Sequence, residues 1–310
     1  MARFTSLDGP RLAAIAARYG LAGVAHAVPL AAGTINSNFR VESARGPVFL
    51  RVNEGKSEDE AAYEAALVAF LADGGVATPR PLATVDGERY ATVDGLLVTL
   101  FPWVGGAHHE PPSPADCAAL GKGLAEMHRV GAAFPDRRAG RYAKPRIVER
   151  AHALVGRAPD PVVADLQHVL ASSYTPPIDG VIHGDLFPDN VLFEAAGGAV
   201  LLDFEQASGG SFVYDVAVCL LSWCWDAGGL SEDKGRALVG AYGRVDGGEL
   251  FEAARFAAAR FTVTRLGDVE LDPRVAPEIR AIKDYREFWA KLRALDALGA
   301  AGLSSRLSIS

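Results

Sequence analysis

The chain is poor in cysteine, in long apolar runs and in surplus positive charge, and each shortage removes a class of function. Its three cysteines, Cys117, Cys219 and Cys224, are odd in number and fit no zinc spacing, so no zinc site is expected. Cys219 and Cys224 lie in an apolar stretch and read as small buried hydrophobes, which suits a reducing cytoplasm. No run approaches the ~18 apolar residues of a membrane span, and no charged-then-apolar leader opens the chain, so neither membrane nor export is expected. The formal net charge is −7. Without a basic stripe to displace counterions, a nucleic-acid partner is not expected either.

What is present is a foldable, mostly apolar chain. Its 310 residues, 49% hydrophobic and 22% charged, suffice for one very large or two modest domains with a sizeable core. Asp8 or Gly9 precedes Pro10 at the first turn of a short helix that Gly20 ends. Strands are expected at Val28–Leu30, Asn38–Glu42, Val48–Val52, Arg89–Thr92 and Leu96–Phe101, with an amphipathic helix over Glu58–Ala72 between the third and fourth. Pro102-Trp-Val-Gly-Gly106 reads as a linker. Ser113 caps a helix with Pro114 at its first position, running to about Val130. Further helices are expected at 146–156, 160–173, 213–225, 231–242, 247–265, 274–282 and 284–298. The fold class is therefore α+β: a small strand-rich lobe over 1–101 and a larger helical lobe over 102–310. No internal repeat is visible.

The chemistry concentrates in Val181-Ile-His-Gly-Asp-Leu-Phe-Pro-Asp-Asn-Val-Leu-Phe193, followed by Leu201-Leu-Asp-Phe204. Two short buried strands flank a polar loop stiffened by Pro188. Ala195-Ala-Gly-Gly198 signals a turn, and Ala199–Leu202 returns as the paired strand, which brings Asp203 back beside the loop. A carboxylate at Asp185 can orient or take the proton of an attacking hydroxyl. Asn190 and Asp203 can hold a Mg²⁺ that neutralises ATP phosphates.

This segment resembles the catalytic loop of the aminoglycoside phosphotransferase-like kinases, which carry His-Gly-Asp where protein kinases carry His-Arg-Asp. The resemblance implies a two-lobed, protein-kinase-like fold, with ATP in the cleft and its adenine against a hinge around Val98–Trp103. It implies that Asp185 is catalytic, that Asn190 and Asp203 are metal ligands, and that His183 is structural. Asp203 heads Asp-Phe-Glu here, not Asp-Phe-Gly. Gly33-Thr-Ile-Asn-Ser-Asn38 falls where a kinase folds a turn over the phosphates; Gly33 allows close backbone approach, and Thr34, Asn36, Ser37 and Asn38 offer donors. Arg51 stands where the family usually has a phosphate-touching lysine, a departure because a planar fork fits differently from an ammonium. Glu64 is its expected partner, with Glu60 in reserve. Asp215, at the start of an all-round apolar stretch, is expected to accept backbone N–H bonds from the loop.

Many acceptors use this fold. Within it, Gly33-Thr-Ile-Asn-Ser-Asn-Phe39, the Leu-Phe-Pro-Asp-Asn form of the loop, Val213-Tyr-Asp-Val-Ala-Val-Cys219 with Trp223-Cys224, Arg260-Phe-Thr-Val-Thr-Arg-Leu266 and Lys283-Asp284 are similar to bacterial homoserine kinases. The implied partner is a small-molecule alcohol. A homoserine site needs a cation for the carboxylate, for which Arg260 and Arg265 are candidates, and an acid for the ammonium, for which Asp226 is the candidate. Trp223 and Trp225 read first as core aromatics, with an approach to that site as the alternative. Choline, another amino alcohol or an aminoglycoside are alternative acceptors, although residues 246–310 balance ten acids against ten Lys or Arg and show no acidic bias for a polycation. A catalytically inert nucleotide-binding scaffold is a further alternative, opposed by the presence of Asp185, Asn190 and Asp203.

Overall fold

The computed structural model describes residues 5–30, 36–172, 174–195 and 197–310. The chain divides into two compact units, one closing at Gly106 and the other running from Ala107 to Ser310.

In the first unit, α1 (Gly9–Arg18) starts where Asp8 accepts the Arg11 N–H at 2.9 Å, with proline in its first turn. Strands β1 (Ala27–Pro29), β2 (Ser37–Ser43) and β3 (Gly46–Val52) follow, then α2 (Glu58–Asp73), β4 (Ala91–Val93) and β5 (Leu96–Pro102). All pair antiparallel in the order β1-β2-β3-β5-β4. Alternation along β3 sends Val48, Leu50 and Val52 into a core shared with Val41, Val98, Leu100 and the α1 residues Leu12 and Ile15. Phe49 and Arg51 therefore face the other way. Helix α2 begins with a capping box: Ser57 Oγ accepts the Glu60 N–H, and the Glu60 carboxylate accepts the Ser57 N–H at 2.9 Å.

The second unit is mainly helical. Helix α3 (Pro114–Gly131) starts at Ser113 as expected, and Asp116 completes a second capping box. Helices α4 (Lys144–His152) and α5 (Asp160–Leu170) lead to β6 (Gly180–Ile182), then β7 (Val191–Phe193), β8 (Ala199–Leu201) and β9 (Ser208–Gly210). The chain then forms α6 (Phe212–Trp223), a small ribbon pairing Trp225–Asp226 with Gly229–Leu230, α7 (Glu232–Tyr242), α8 (Gly247–Arg265), α9 (Pro277–Ile282) and α10 (Tyr285–Leu307), whose helical path breaks at Gly299. Helix α8 packs against α6 and α10, while α3 packs against α7. The α+β reading holds.

The β7–β8 hairpin matches its expectation. Strand β9 does not figure in the sequence reading, yet it pairs with β6. Ser-Gly-Gly has no strand-forming side chain. Glycine lets the neighbouring chains close in: a Cβ at Gly210 would run into the Ile182 side chain of β6, and one at Gly209 would lie 2.6 Å from the Arg137 carbonyl oxygen on another segment. All three cysteines are free and buried. Among the described residues no helix is long and apolar enough to cross a membrane.

Candidate active site

The loop between β6 and β7 is held from below by a single buried carboxylate. Asp215, in the first turn of α6, has no solvent exposure. Its Oδ2 accepts the His183 N–H at 2.6 Å, its Oδ1 accepts the Gly184 N–H at 2.7 Å, and His128 Nε2 lies 3.2 Å from Oδ2. An ionised carboxylate buried this deeply is tolerable only with several donors. His128 in turn stacks on Phe212 and places Nδ1 2.9 Å from the Tyr242 hydroxyl. Burial pushes that hydroxyl well above the usual tyrosine range, so it remains a hydrogen-bonding OH. Gly184 sits at φ +76°, a conformation that costs other residues their Cβ clearance, and this swings the next residue, Asp185, out of the strand line.

Further along, the loop is braced from the other end of α6. The Leu186 carbonyl accepts Trp223 Nε1–H at 2.9 Å. Trp223, at 1% exposure, is thereby a support of the loop and a core aromatic. His183 is fully buried; its Nε2 lies 2.8 Å from the Leu202 carbonyl and its ring lies against Phe204, the structural role expected for it. Residues Pro188–Asn190 form one 3₁₀ turn. Asn190 Nδ2 donates to the Asp185 carbonyl at 2.8 Å, and the Asn190 carbonyl accepts the Leu202 N–H at 2.9 Å. The hairpin thus sets Asp203 one residue beyond a direct bond to Asn190. Asp203 itself adopts φ 60°, ψ 71°, a left-handed conformation that costs a non-glycine residue about 1–3 kcal/mol.

Asp185 is partly open to solvent, its side chain 34% exposed, and Arg260 of α8 meets it from behind with Nη1 3.2 Å from Oδ1. Arg260 is only 3% exposed, with its guanidinium carbon 3.9 Å from the ring centroids of both Tyr142 and Phe261. Four residues along the loop, protein crowding and the Asp185 charge push the Asp189 carboxyl above its ordinary range, although the Asp189 side chain still meets solvent. Three oxygen-bearing groups, Asp185, Asn190 and Asp203, therefore belong to one loop-and-hairpin frame. The arrangement suits a carboxylate that accepts or orients a hydroxyl proton next to oxygen donors for a hard cation. Among the described residues no group of three or more His, Cys, Asp or Glu forms a self-sufficient metal cage.

In the first unit the expected pair is formed. Arg51 Nη1 donates to Glu64 Oε1 at 3.0 Å, both residues being 7% exposed. Glu60 is committed to the Ser57 cap, which settles the choice between the two acids. The sequence reading overlooked a second cation: Lys56 Nζ lies 2.6 Å from Glu64 Oε2. Gly33 and Thr34 lie outside the described residues. Asn36, Ser37 and Asn38 are buried; Asn36 Oδ1 accepts the Glu54 N–H at 3.2 Å, and Ser37 Oγ donates to the Glu54 carboxylate at 2.7 Å.

The remaining candidates are paired with other side chains, and the Arg265 guanidinium carbon lies 5.9 Å from the ring centroid of the loop residue Phe187. Asp226 pairs with Lys234 at 2.5 Å. Arg265 pairs with Glu287 at 2.6 Å, and its guanidinium carbon lies 4.5 Å from the Phe288 ring centroid. His128, Tyr142 and Lys56 were not singled out from sequence. A histidine or tyrosine on a helix or in a loop carries no spacing signal of its own. For Lys56, the neighbouring capping box Ser57-x-x-Glu60 was the available clue, because it fixes where the helix starts and hence which side chains precede it.

Residues 26–255 match the model of the phosphotransferase enzyme family, APH. A homoserine kinase of Rhodopseudomonas palustris (strain TIE-1) is 33% identical over 309 residues, covering 94% of both chains. Among solved structures, an amicoumacin kinase superposes with a TM-score of 0.72 at 15% identity over 95% of each chain. A spectinomycin phosphotransferase gives 0.69 at 13% identity, over 94% of this chain and 99% of that one. The structural likenesses speak for a kinase-like fold. The family match spans the Arg51–Glu64 pair, the braced loop and the hairpin, and with it the chain belongs to the phosphotransferase enzyme family.

Proposed function

We propose that the protein transfers the γ-phosphoryl group of ATP to the side-chain hydroxyl of L-homoserine. The observation that carries the phosphoryl-transfer half is the partly exposed Asp185 carboxylate on a loop whose backbone is fixed by Asp215. The acceptor half draws on the full-length likeness to proteins named homoserine kinase. Nucleotide use is supported by relatives of the same fold solved with AMP-PNP and Ca²⁺ or with ADP.

In this reading Asp185 orients the acceptor hydroxyl and receives its proton late in the transfer. Arg51, held by Glu64, contributes positive charge for the nucleotide phosphates, and Asn36, Ser37 and Asn38 offer donors to them. The donors Asp203 and Asn190 fit Mg²⁺: both offer oxygen, and the Asn190 amide nitrogen is already spent on the Asp185 carbonyl, which leaves its oxygen for a cation. Bound there, Mg²⁺ would neutralise phosphate charge. Two protein oxygens and no cage is the donor set expected of an ion that arrives with its nucleotide. For the carboxylate and ammonium of homoserine the reading assigns Arg265 and Asp226, whose side chains are 14% and 49% exposed against 3% for Arg260.

The test is ADP release with Mg²⁺-ATP against L-homoserine, choline, other amino alcohols and kanamycin. Turnover confined to homoserine supports the proposal and places the enzyme in threonine synthesis. Turnover with another alcohol and silence with homoserine overturns the acceptor assignment.

A further inference from the structure

Arg260 was singled out from sequence as a ligand for an acceptor carboxylate, yet its burial argues for a different task. A group that binds a small solute must be reachable by it. Arg260 is 3% exposed, whereas the Asp185 side chain it touches is 34% exposed. Asp185 is thus the open end of the pair and Arg260 the buried end.

The surroundings of Arg260 fix a planar cation in place. Its guanidinium carbon lies 3.9 Å from the Tyr142 ring centroid and 3.9 Å from that of Phe261. Two faces of π density stabilise a desolvated guanidinium, and arginine suits this better than lysine because it is flat and always charged. One nitrogen then reaches Asp185 Oδ1 at 3.2 Å. A single bond to one oxygen fixes the carboxylate's rotation about its own axis and leaves Oδ2 as the second oxygen. The backbone of Asp185 is fixed independently, through its carbonyl bond to Asn190 and the Asp215 contacts to the two preceding residues. The side chain is the remaining freedom, and Arg260 removes it.

We infer that Arg260 and Tyr142 form a clamp that positions the Asp185 side chain: Tyr142 holds the guanidinium, and the guanidinium holds the carboxylate. Arg260 is a positioning residue that acts through Asp185, and Tyr142 acts through Arg260. The inference rests on the phosphoryl-transfer reading of Asp185 but not on the identity of the acceptor.

Steady-state kinetics on the full chain separate the two roles, using homoserine or whichever alcohol of the panel the wild type phosphorylates. For Arg260→Met the turnover number should fall about 10²-fold, the scale of a misplaced reacting group, while the acceptor KM stays within about threefold. Arg260→Lys restores the charge without the flat face and should recover part of the loss. Tyr142→Phe keeps the ring and should match wild type, whereas Tyr142→Leu should lose about tenfold in turnover number with KM held. This pair carries the test if Arg260→Met does not fold. An acceptor KM raised about tenfold with turnover number preserved in Arg260→Met would assign Arg260 to acceptor binding and overturn the clamp. Equal activity of Tyr142→Leu and Tyr142→Phe also overturns it. A wild-type chain silent with every alcohol overturns the clamp together with the reading of Asp185, whereas turnover with an alcohol other than homoserine overturns only the acceptor assignment.

Discussion

Replacing Asp215 by asparagine exchanges one oxygen for an amide NH₂ and leaves the side-chain volume nearly unchanged. In the native chain the two oxygens take the His183 and Gly184 N–H groups at 2.6 and 2.7 Å, with His128 Nε2 at 3.2 Å. Asparagine has one acceptor oxygen, so one backbone N–H is left facing an NH₂ at a site with no water access. Leaving a buried donor unsatisfied and losing a charge-assisted bond together cost about 2–4 kcal/mol. At about 2–4 °C per kcal/mol for a domain of this size, the melting midpoint should drop by about 4–16 °C. The residue after Gly184 is Asp185, and a shift of order 1 Å there should lower turnover by about 10²-fold. Thermal melts of wild type and variant, paired with ADP release at saturating nucleotide, give both numbers. A midpoint within about 2 °C of wild type with turnover within about threefold would show that the loop holds its shape without Asp215.

Other substitutions probe other parts. Asp185→Ala should lose about 10²–10⁴-fold in turnover while ATP binding, followed by equilibrium titration, persists; near-normal turnover would end its assignment as the proton acceptor. Asp203→Ala should lose productive Mg²⁺-ATP binding, and an unchanged metal dependence of activity would remove its ligand role. Glu64→Gln strips the anion shared by Arg51 and Lys56, and breaking so buried a pair should destabilise the chain by about 3–5 kcal/mol in urea unfolding. At the α10 end, burial favours the protonated form of Glu287, but the Lys291 and Arg265 cations outweigh it and hold its carboxyl below the ordinary 4.5. A depressed carboxyl stabilises the fold above its unfolded value, and that contribution is lost as pH falls through the folded value. The melting-point gap between wild type and Glu287→Gln should therefore narrow as pH is lowered below about 4.5; a gap constant with pH would rule the linkage out.

The parts of the site that sequence discloses are those set by short-range pattern. The His-Gly-Asp loop and its hairpin are contiguous, so spacing alone carries Asp185, Asn190 and Asp203 into one frame. Asp215 is legible because a lone acid opening an apolar helix needs a reason to be buried. Glu64 ranks ahead of Glu60 on the family resemblance, and the Arg51 bond and the Ser57 cap agree with that order. Long-range partners leave no such trace. Arg260 lies 75 residues from Asp185, and nothing in a helix pattern says which buried face will meet the loop. Tyr142 and His128 meet Arg260 and Asp215 through tertiary packing, whereas Lys56 reaches Glu64 only eight residues on. Strand β9 was missed for the opposite reason: its pairing depends on lacking side chains, while propensity counts only those present.

The loop's two braces come from one helix. Asp215 grips the His183 and Gly184 amides and Trp223 the Leu186 carbonyl, from positions eight residues apart and so about 12 Å along α6. Helix α6 is in effect a jig that fixes the first half of the loop on either side of Asp185. Grafting the thirteen-residue segment 181–193 onto a different scaffold would transfer its letters without its dimensions. Loop and helix form one unit of this candidate site, and recombination between distant relatives should preserve activity only where the crossover spares that whole interval from 181 to 223.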